Sequence, residues 1–268
     1  MRWPGGSARV QRDPGAGAMG AGASRAAGAA GAWEAVTFGA GAGGLARGAR
    51  GAPGVLLLQE WWGVTPEIRA QAEVLEAAGF RVLIPDLYNG KIGVDAEEAS
   101  HLMGNLDWPK ARDELVAAAR FLREEGSPRV GTLGFCMGGA LSLVGAQWSP
   151  DVSCAVAFYG TPGRELCQPE TIKKPIQGHF GELDGMEGFS DPAAAKALAV
   201  QLQEAGCGGE VFSYPGVGHA FMNANPDAPE VKEGVTASTG FPPKDEAMQS
   251  LAAERVEKFL LKHLAGAQ

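Results

Sequence analysis

RVGTLGFCMGGALSL, residues 129–143, joins an apolar run to a glycine-rich turn and a helix-like segment. RVGTLGF (129–135) is a short apolar run, as expected of a strand buried on both faces. A helix is expected from Gly138 to Trp148. Between them, Gly134-Phe135-Cys136-Met137-Gly138 has the G-x-nucleophile-x-G spacing of a nucleophile elbow, with cysteine in the place of serine. Such a turn is tight, and small residues on either side of the nucleophile let strand and helix approach. The backbone N–H after the nucleophile, that of Met137, can donate to an oxyanion, and a helix N-terminus favours a thiolate. The other reading of the motif is a glycine-rich turn holding a buried structural cysteine.

Outward from this point the chain alternates strands and helices. Upstream lie AWEAVTF (32–38), a Gly/Ala-rich connection, GVLLLQE (54–60) and RVLIPDL (81–87). Thr65-Pro66 opens the helix between the last two, with Thr as N-cap and Pro at the first helical position. Asp95 with Glu98 predicts a capping box for a helix through Leu102. Asp107-x-Pro109 starts another helix, to about Glu125. Downstream come strands at 152–160, 174–181 and 210–216. Asp191-Pro192 opens a helix closed by Gly206, and a final helix runs from about Asp245 to His263. Buried strands alternating with helices predict an α/β fold, a mostly parallel sheet with helices on both faces in a single domain, 33–268. Ligands in such folds sit beyond the carboxyl ends of the strands.

A thiol nucleophile needs a base, and the base needs a group that fixes its tautomer. Of four histidines, His219 alone follows a strand in a turn-like context, PGVGHAF (215–221). His101 falls on a helix, His263 in the last turn of one, and His179 inside a strand as a hydrogen-bonded core residue. The acid belongs after the strand that precedes the last, where GHFGELDG (178–185) offers Asp184, with Glu182 as the alternative. Cys136, Asp184 and His219 then stand in the nucleophile–acid–histidine order of the α/β-hydrolase topology.

Composition narrows the function classes. The net charge is −8, without Lys/Arg blocks, which leaves no electrostatic footprint for nucleic acid or an anionic membrane. No apolar run approaches the roughly 18 residues of a membrane-spanning helix. Cys136, Cys154, Cys167 and Cys207 form no C-x-x-C pair. They are read as reduced thiols in an intracellular compartment, with no metal or organic cofactor implied. Residues 1–32 are Gly/Ala-rich without hydrophobic periodicity and read as a disordered extension. Arg2, Arg9, Arg12 and Arg25 against Asp13 also suit an organelle transit peptide, set against an unselected extension with Met19 as the start. Localisation is accordingly read as cytoplasmic, with chloroplast or mitochondrion as the alternative.

From residue 33 onward the chain resembles the dienelactone hydrolases (carboxymethylenebutenolidases). The matching stretches are LLLQEWWG (56–63), IPDLYNGK (84–91), LGFCMGGALSL (133–143), QGHFGELD (177–184) and YPGVGHAF (214–221). The resemblance implies a Cys136–His219–Asp184 triad, with Glu60 beside the nucleophile to activate the thiol when substrate enters. It implies an oxyanion hole from the amides of Trp61 and Met137. For Glu60 the competing reading is a structural acid satisfied by backbone donors. Trp61 and Trp62 either line an apolar pocket or pack on the core. Trp62, Tyr88, Lys91 and Phe221 are the candidate pocket residues. The chain departs from the family at two positions where bacterial members hold a substrate carboxylate with arginine. Gly90 and Asn223 stand there, with Lys91 adjacent as a point charge. The stretch 222–244 is long and Pro/Gly-rich, and reads as a loop covering the site.

The expected activity is cleavage of an ester or lactone through a thioester acyl-enzyme by a monomer with a small-molecule substrate. A thiol-dependent acyltransferase and a non-catalytic ligand-binding or sensor protein on the same fold are the alternatives. Transfer to an added acceptor distinguishes the first, and an inert Cys136 thiol the second.

Overall fold

The computed structural model describes residues 31–223 and 245–265. Residues 1–32, read from sequence as an extension, and 222–244, read as a covering loop, fall almost wholly outside the described residues.

Within them the strands are β1 (Glu34–Phe38), β2 (Ala42–Arg47), β3 (Gly54–Leu58), β4 (Arg81–Pro85), β5 (Val130–Phe135), β6 (Val152–Phe158), β7 (Ile176–Gly181) and β8 (Glu210–Tyr214). The helices are α1 (Pro66–Ala77), α2 (Ala96–Gly104), α3 (Trp108–Glu124), α4 (Met137–Trp148), α5 (Pro192–Ala205) and α6 (Glu246–Leu264). One eight-stranded sheet runs β1-β2-β4-β3-β5-β6-β7-β8. The β1–β2 and β2–β4 pairs are antiparallel, and all later pairs are parallel. Central strands β3 and β5 are buried along their whole length. That follows from their uninterrupted apolar sequences and the two helical layers covering them. Leu115, Leu141 and Leu198 of α3, α4 and α5 pack on one face. Ile68 and Leu75 of α1, with Val256 and Leu260 of α6, pack on the other.

The expected caps form. Thr65, Asp95, Asp107 and Asp191 each accept a backbone N–H in the first turn of their helices, and Gly206 closes α5 in the left-handed conformation at φ 63°. Glu98 does not close the expected capping box with Asp95 N; it reaches one residue further back and accepts from Val94 N at 3.0 Å.

One correction concerns the connection expected after β1. It contains β2, AGGLAR, paired on both sides. Its glycines conceal the strand, because Gly has low intrinsic β preference. Packing requires glycine here, since a Cβ on Gly44 would lie 2.8 Å from Ile84 O. The β1–β2 hairpin is tied to the parallel sheet by Arg81, which is fully buried. Its guanidinium meets Glu34 at 3.1 Å and Glu125 at 2.9 Å. Hydrogen bonds to Arg81 hold the Glu34 carboxyl below its ordinary pKa.

Candidate active site

The end of β5 delivers Cys136 directly into α4. Cys136 has φ 53° and ψ −117°, a positive φ that non-glycine residues rarely adopt and that costs about 1–3 kcal/mol. The flanking glycines allow it. A Cβ on Gly134 would collide with the carbonyl of Gly138, and one on Gly138 with the carbonyl of Leu58 in β3. The Cys136 amide donates to Phe158 O of β6 at 3.1 Å, and its carbonyl accepts from Ala140 N at 3.2 Å. The turn is therefore fixed on both sides. Cys136 is half-buried, while Cys154, Cys167 and Cys207 are buried, and all four are free thiols. Burial pushes the Cys154 and Cys167 thiols up to about 12, so both stay protonated and inert near neutrality.

His219, in the turn after β8, sets Nε2 at 3.2 Å from Cys136 Sγ. Its Nδ1 lies 2.9 Å from Asp184 Oδ2. Asp184 follows β7 and is buried, and its other oxygen accepts from Met186 N at 3.0 Å. Of the two candidate acids, Asp184 is the one brought to the imidazole, and Glu182 is exposed. Sequence reasoning missed Ser190, whose Oγ is 3.0 Å from His219 Nδ1. It is wholly buried and sits immediately before the N-cap Asp191. In sequence it resembles any small polar residue ahead of a helix, so its role comes only from the return of the chain past His219. The other histidines lie elsewhere. His179 is buried in the sheet between Tyr214 OH at 2.7 Å and Gln177 Oε1 at 2.9 Å, stacked on Phe158. His101 is exposed on α2.

Glu60, just beyond β3, accepts from Asn223 Nδ2 at 3.3 and 3.2 Å through its two oxygens. Asn223 thus sits where its amide reaches the Glu60 carboxylate. Gln59, beside Glu60, ties this strand end to the next by accepting from Leu87 N at 3.1 Å.

A cavity of about 960 Å³ opens over these groups, with Glu60, Trp61, Trp62, Cys136, Met137 and His219 in its wall. Further wall comes from Met103 and Trp108 of the α2–α3 region, and from Leu166 and Phe189 in the loops after β6 and β7. Of the four candidate pocket residues, Trp62 lines this space and the other three do not. Tyr88 lies beneath the elbow, its buried hydroxyl 3.4 Å from Met137 Sδ. Burial, then the proximity of Cys136, raises its pKa above the ordinary phenol value. Lys91 is exposed on its loop. Phe221 packs among Tyr159 and Tyr214, with its carbonyl held by Gln249 of α6 at 2.6 Å. Among the described residues, no cluster of three or more His, Cys, Asp or Glu is arranged to hold a metal ion. No helix of the described residues is long and apolar enough to cross a membrane.

A mostly parallel sheet with helices on both faces, and an elbow between a central strand and its helix, define an α/β-hydrolase. Known proteins resolve the class further. The sequence profile of the dienelactone hydrolase family matches residues 42–264. The carboxymethylenebutenolidase of Pseudomonas putida is 30% identical over 202 residues, spanning 70% of this chain and 82% of that one. Protein usf of Aquifex pyrophilus is 32% identical over 183 residues, spanning 65% and 78% of the two chains. Among solved structures, a dienelactone hydrolase-like promiscuous phosphotriesterase from metagenomic libraries superposes with a TM-score of 0.72. It is 20% identical, with 88% of this chain and 99% of that one covered. The dienelactone hydrolase of Anabaena variabilis superposes at 0.58, also at 20% identity, covering 88% and 100%. The chain belongs to the dienelactone hydrolase family, and it is a hydrolase.

Proposed function

We propose that this hydrolase cleaves a carboxylic ester or lactone, with Cys136 as nucleophile, His219 as base and Asp184 as its orienter. The observation that carries the reading is the unbroken line Cys136 Sγ–His219 Nε2, His219 Nδ1–Asp184 Oδ2, at 3.2 and 2.9 Å, in the wall of a cavity. His219 accepts the thiol proton, and the thiolate adds to the carbonyl carbon. The resulting oxyanion is met by the amides of Trp61 and Met137. Met137 is the first residue of α4, so its N–H has no partner within the helix and is available for this task. The tetrahedral intermediate collapses, the C–O bond breaks, and the alkoxide leaves with the proton held on His219. Water then attacks the thioester with His219 again as base, and the acid departs with the thiol restored. Glu60 assists ionisation of the thiol, with its position set by the amide of Asn223. A reducing compartment such as the cytoplasm keeps a thiolate of this kind from oxidation.

Cys136→Ala is expected to abolish hydrolysis of simple aryl esters while the circular dichroism spectrum is unchanged. Full activity in that variant would refute the assignment. Product analysis with an added alcohol is expected to give free acid rather than a new ester.

A further inference from the structure

We propose that the substrate is a bulky, uncharged ester or lactone, and that the cavity selects against a carboxylate on it. This rests on the reading of Cys136 as nucleophile. The cavity volume of about 960 Å³ lies near the top of the roughly 300–1,000 Å³ range of small-molecule sites. Its wall is dominated by indole, phenyl, thioether and aliphatic groups, those of Trp61, Trp62, Trp108, Met103, Leu166 and Phe189. Among the described residues that line it there is neither lysine nor arginine. The formal charges are those of Glu60 and Glu165, both negative. His219 already has Asp184 and Ser190 on one nitrogen and Cys136 on the other. A substrate carboxylate entering this space would lose water without gaining a cationic partner, and would face the charge of Glu60, which has its own sign.

A cationic substrate is matched no better. Glu60 is engaged by Asn223 through both oxygens. Glu165 is exposed, where solvent screens its interaction with a charge of either sign. An uncharged acyl or alcohol group incurs neither cost, and every apolar contact with the wall favours it. The size of the cavity gives a large group more of that wall to cover.

The test uses p-nitrophenyl esters with matched acyl chains: methyl succinyl (neutral), succinyl (anionic) and 4-trimethylammoniobutyryl (cationic), with acetyl as the small reference. Hydrolysis by the full chain is followed at pH 7. The neutral ester is expected to exceed the anionic one in kcat/KM by about a hundredfold, a difference of about 2.7 kcal/mol. It should also exceed the cationic and acetyl esters. Anionic hydrolysis within threefold of neutral, or a preference for the cationic ester, would overturn the charge selection, and a preference for acetyl would overturn the size argument. Glu165→Lys is expected to leave the neutral-to-anionic ratio within about twofold, and a severalfold narrowing would overturn selection by the apolar wall. Binding of the same esters to Cys136→Ala, read by quenching of tryptophan fluorescence, should keep the ranking. Loss of the ranking there overturns the proposal even where hydrolysis runs through Cys136. Hydrolysis that persists in Cys136→Ala is the separate failure of the nucleophile assignment.

Discussion

Asp184→Asn isolates the role of the acid, because the hydrogen bonds around it leave an asparagine only one way to fit. Asp184 accepts at both oxygens, from Met186 N at 3.0 Å and from His219 Nδ1 at 2.9 Å. An asparagine has one acceptor and one donor end. The Met186 amide is a fixed donor, so the asparagine oxygen must face it and the NH2 must face His219. Nδ1 then becomes the acceptor, and the imidazole proton moves to Nε2, the nitrogen 3.2 Å from Cys136 Sγ. The base is presented to the thiol with its proton already in place. In serine hydrolases the wrong tautomer costs about 10⁴-fold. A thiol ionises more readily than a hydroxyl, so we expect roughly 10³-fold in kcat/KM here, about 4 kcal/mol of transition-state stabilisation. Aryl ester hydrolysis measures the rate, and iodoacetamide labelling of Cys136 should slow in parallel. The bond to Met186 survives, so stability should change by no more than about 1 kcal/mol. A rate within tenfold of the unmodified protein, with the fold intact, would mean that His219 does not depend on Asp184 for its tautomer.

Other expectations follow from the same contacts. Ser190→Ala removes one partner of His219 Nδ1 but leaves Asp184. It should lower kcat/KM by about three- to tenfold, with kcat/KM against pH distinguishing lost orientation from a shifted titration. Arg81→Met leaves the Glu125 carboxylate, 7% exposed in the side chain, with the exposed Arg50 at 3.1 Å as its remaining partner, and should cost about 2–3 kcal/mol in urea unfolding. Burial, reinforced by the nearby charge of Arg255, lowers the His179 pKa to about 3. The native state therefore keeps His179 neutral while the unfolded chain takes up a proton below about pH 6.5. Stability should thus be fully present above that pH. It should fall with acidification by about 1.4 kcal/mol per pH unit until the folded value is reached. His179→Phe should flatten that dependence in a pH series of denaturation curves.

Much of this architecture is legible in the sequence, because the strands that matter are buried on both faces and signal it as unbroken apolar runs. VGTLGF and GVLLL could hardly be anything else in a chain punctuated by good helix caps. The elbow is legible for a related reason: steric collision leaves almost no alternative to glycine at Gly134 and Gly138. Asp184 and His219 could be singled out from their places after strands. AGGLAR (42–47) could not, because what makes it a strand is pairing with two neighbours far away in the chain. Ser190 and Asn223 share that limitation. Their relevance consists of single contacts, to His219 and Glu60, made by segments that periodicity does not describe. Tyr88 and Phe221 show the converse, since an aromatic residue near a motif carries no sign of which way it faces.

The wall of the cavity and the three groups proposed to react come from different parts of the chain. The thiol, imidazole and carboxylate stand in turns directly after β5, β8 and β7, each anchored by the sheet. Met103 and Trp108, also in the wall, belong to α2 and α3, which contribute none of those three groups. Enlarging Met103 or trimming Trp108 therefore reshapes what can enter without moving the reacting atoms relative to one another. Substitutions on these two helices can thus change what the cavity admits in small steps, while the backbone that carries the three groups stays as it is.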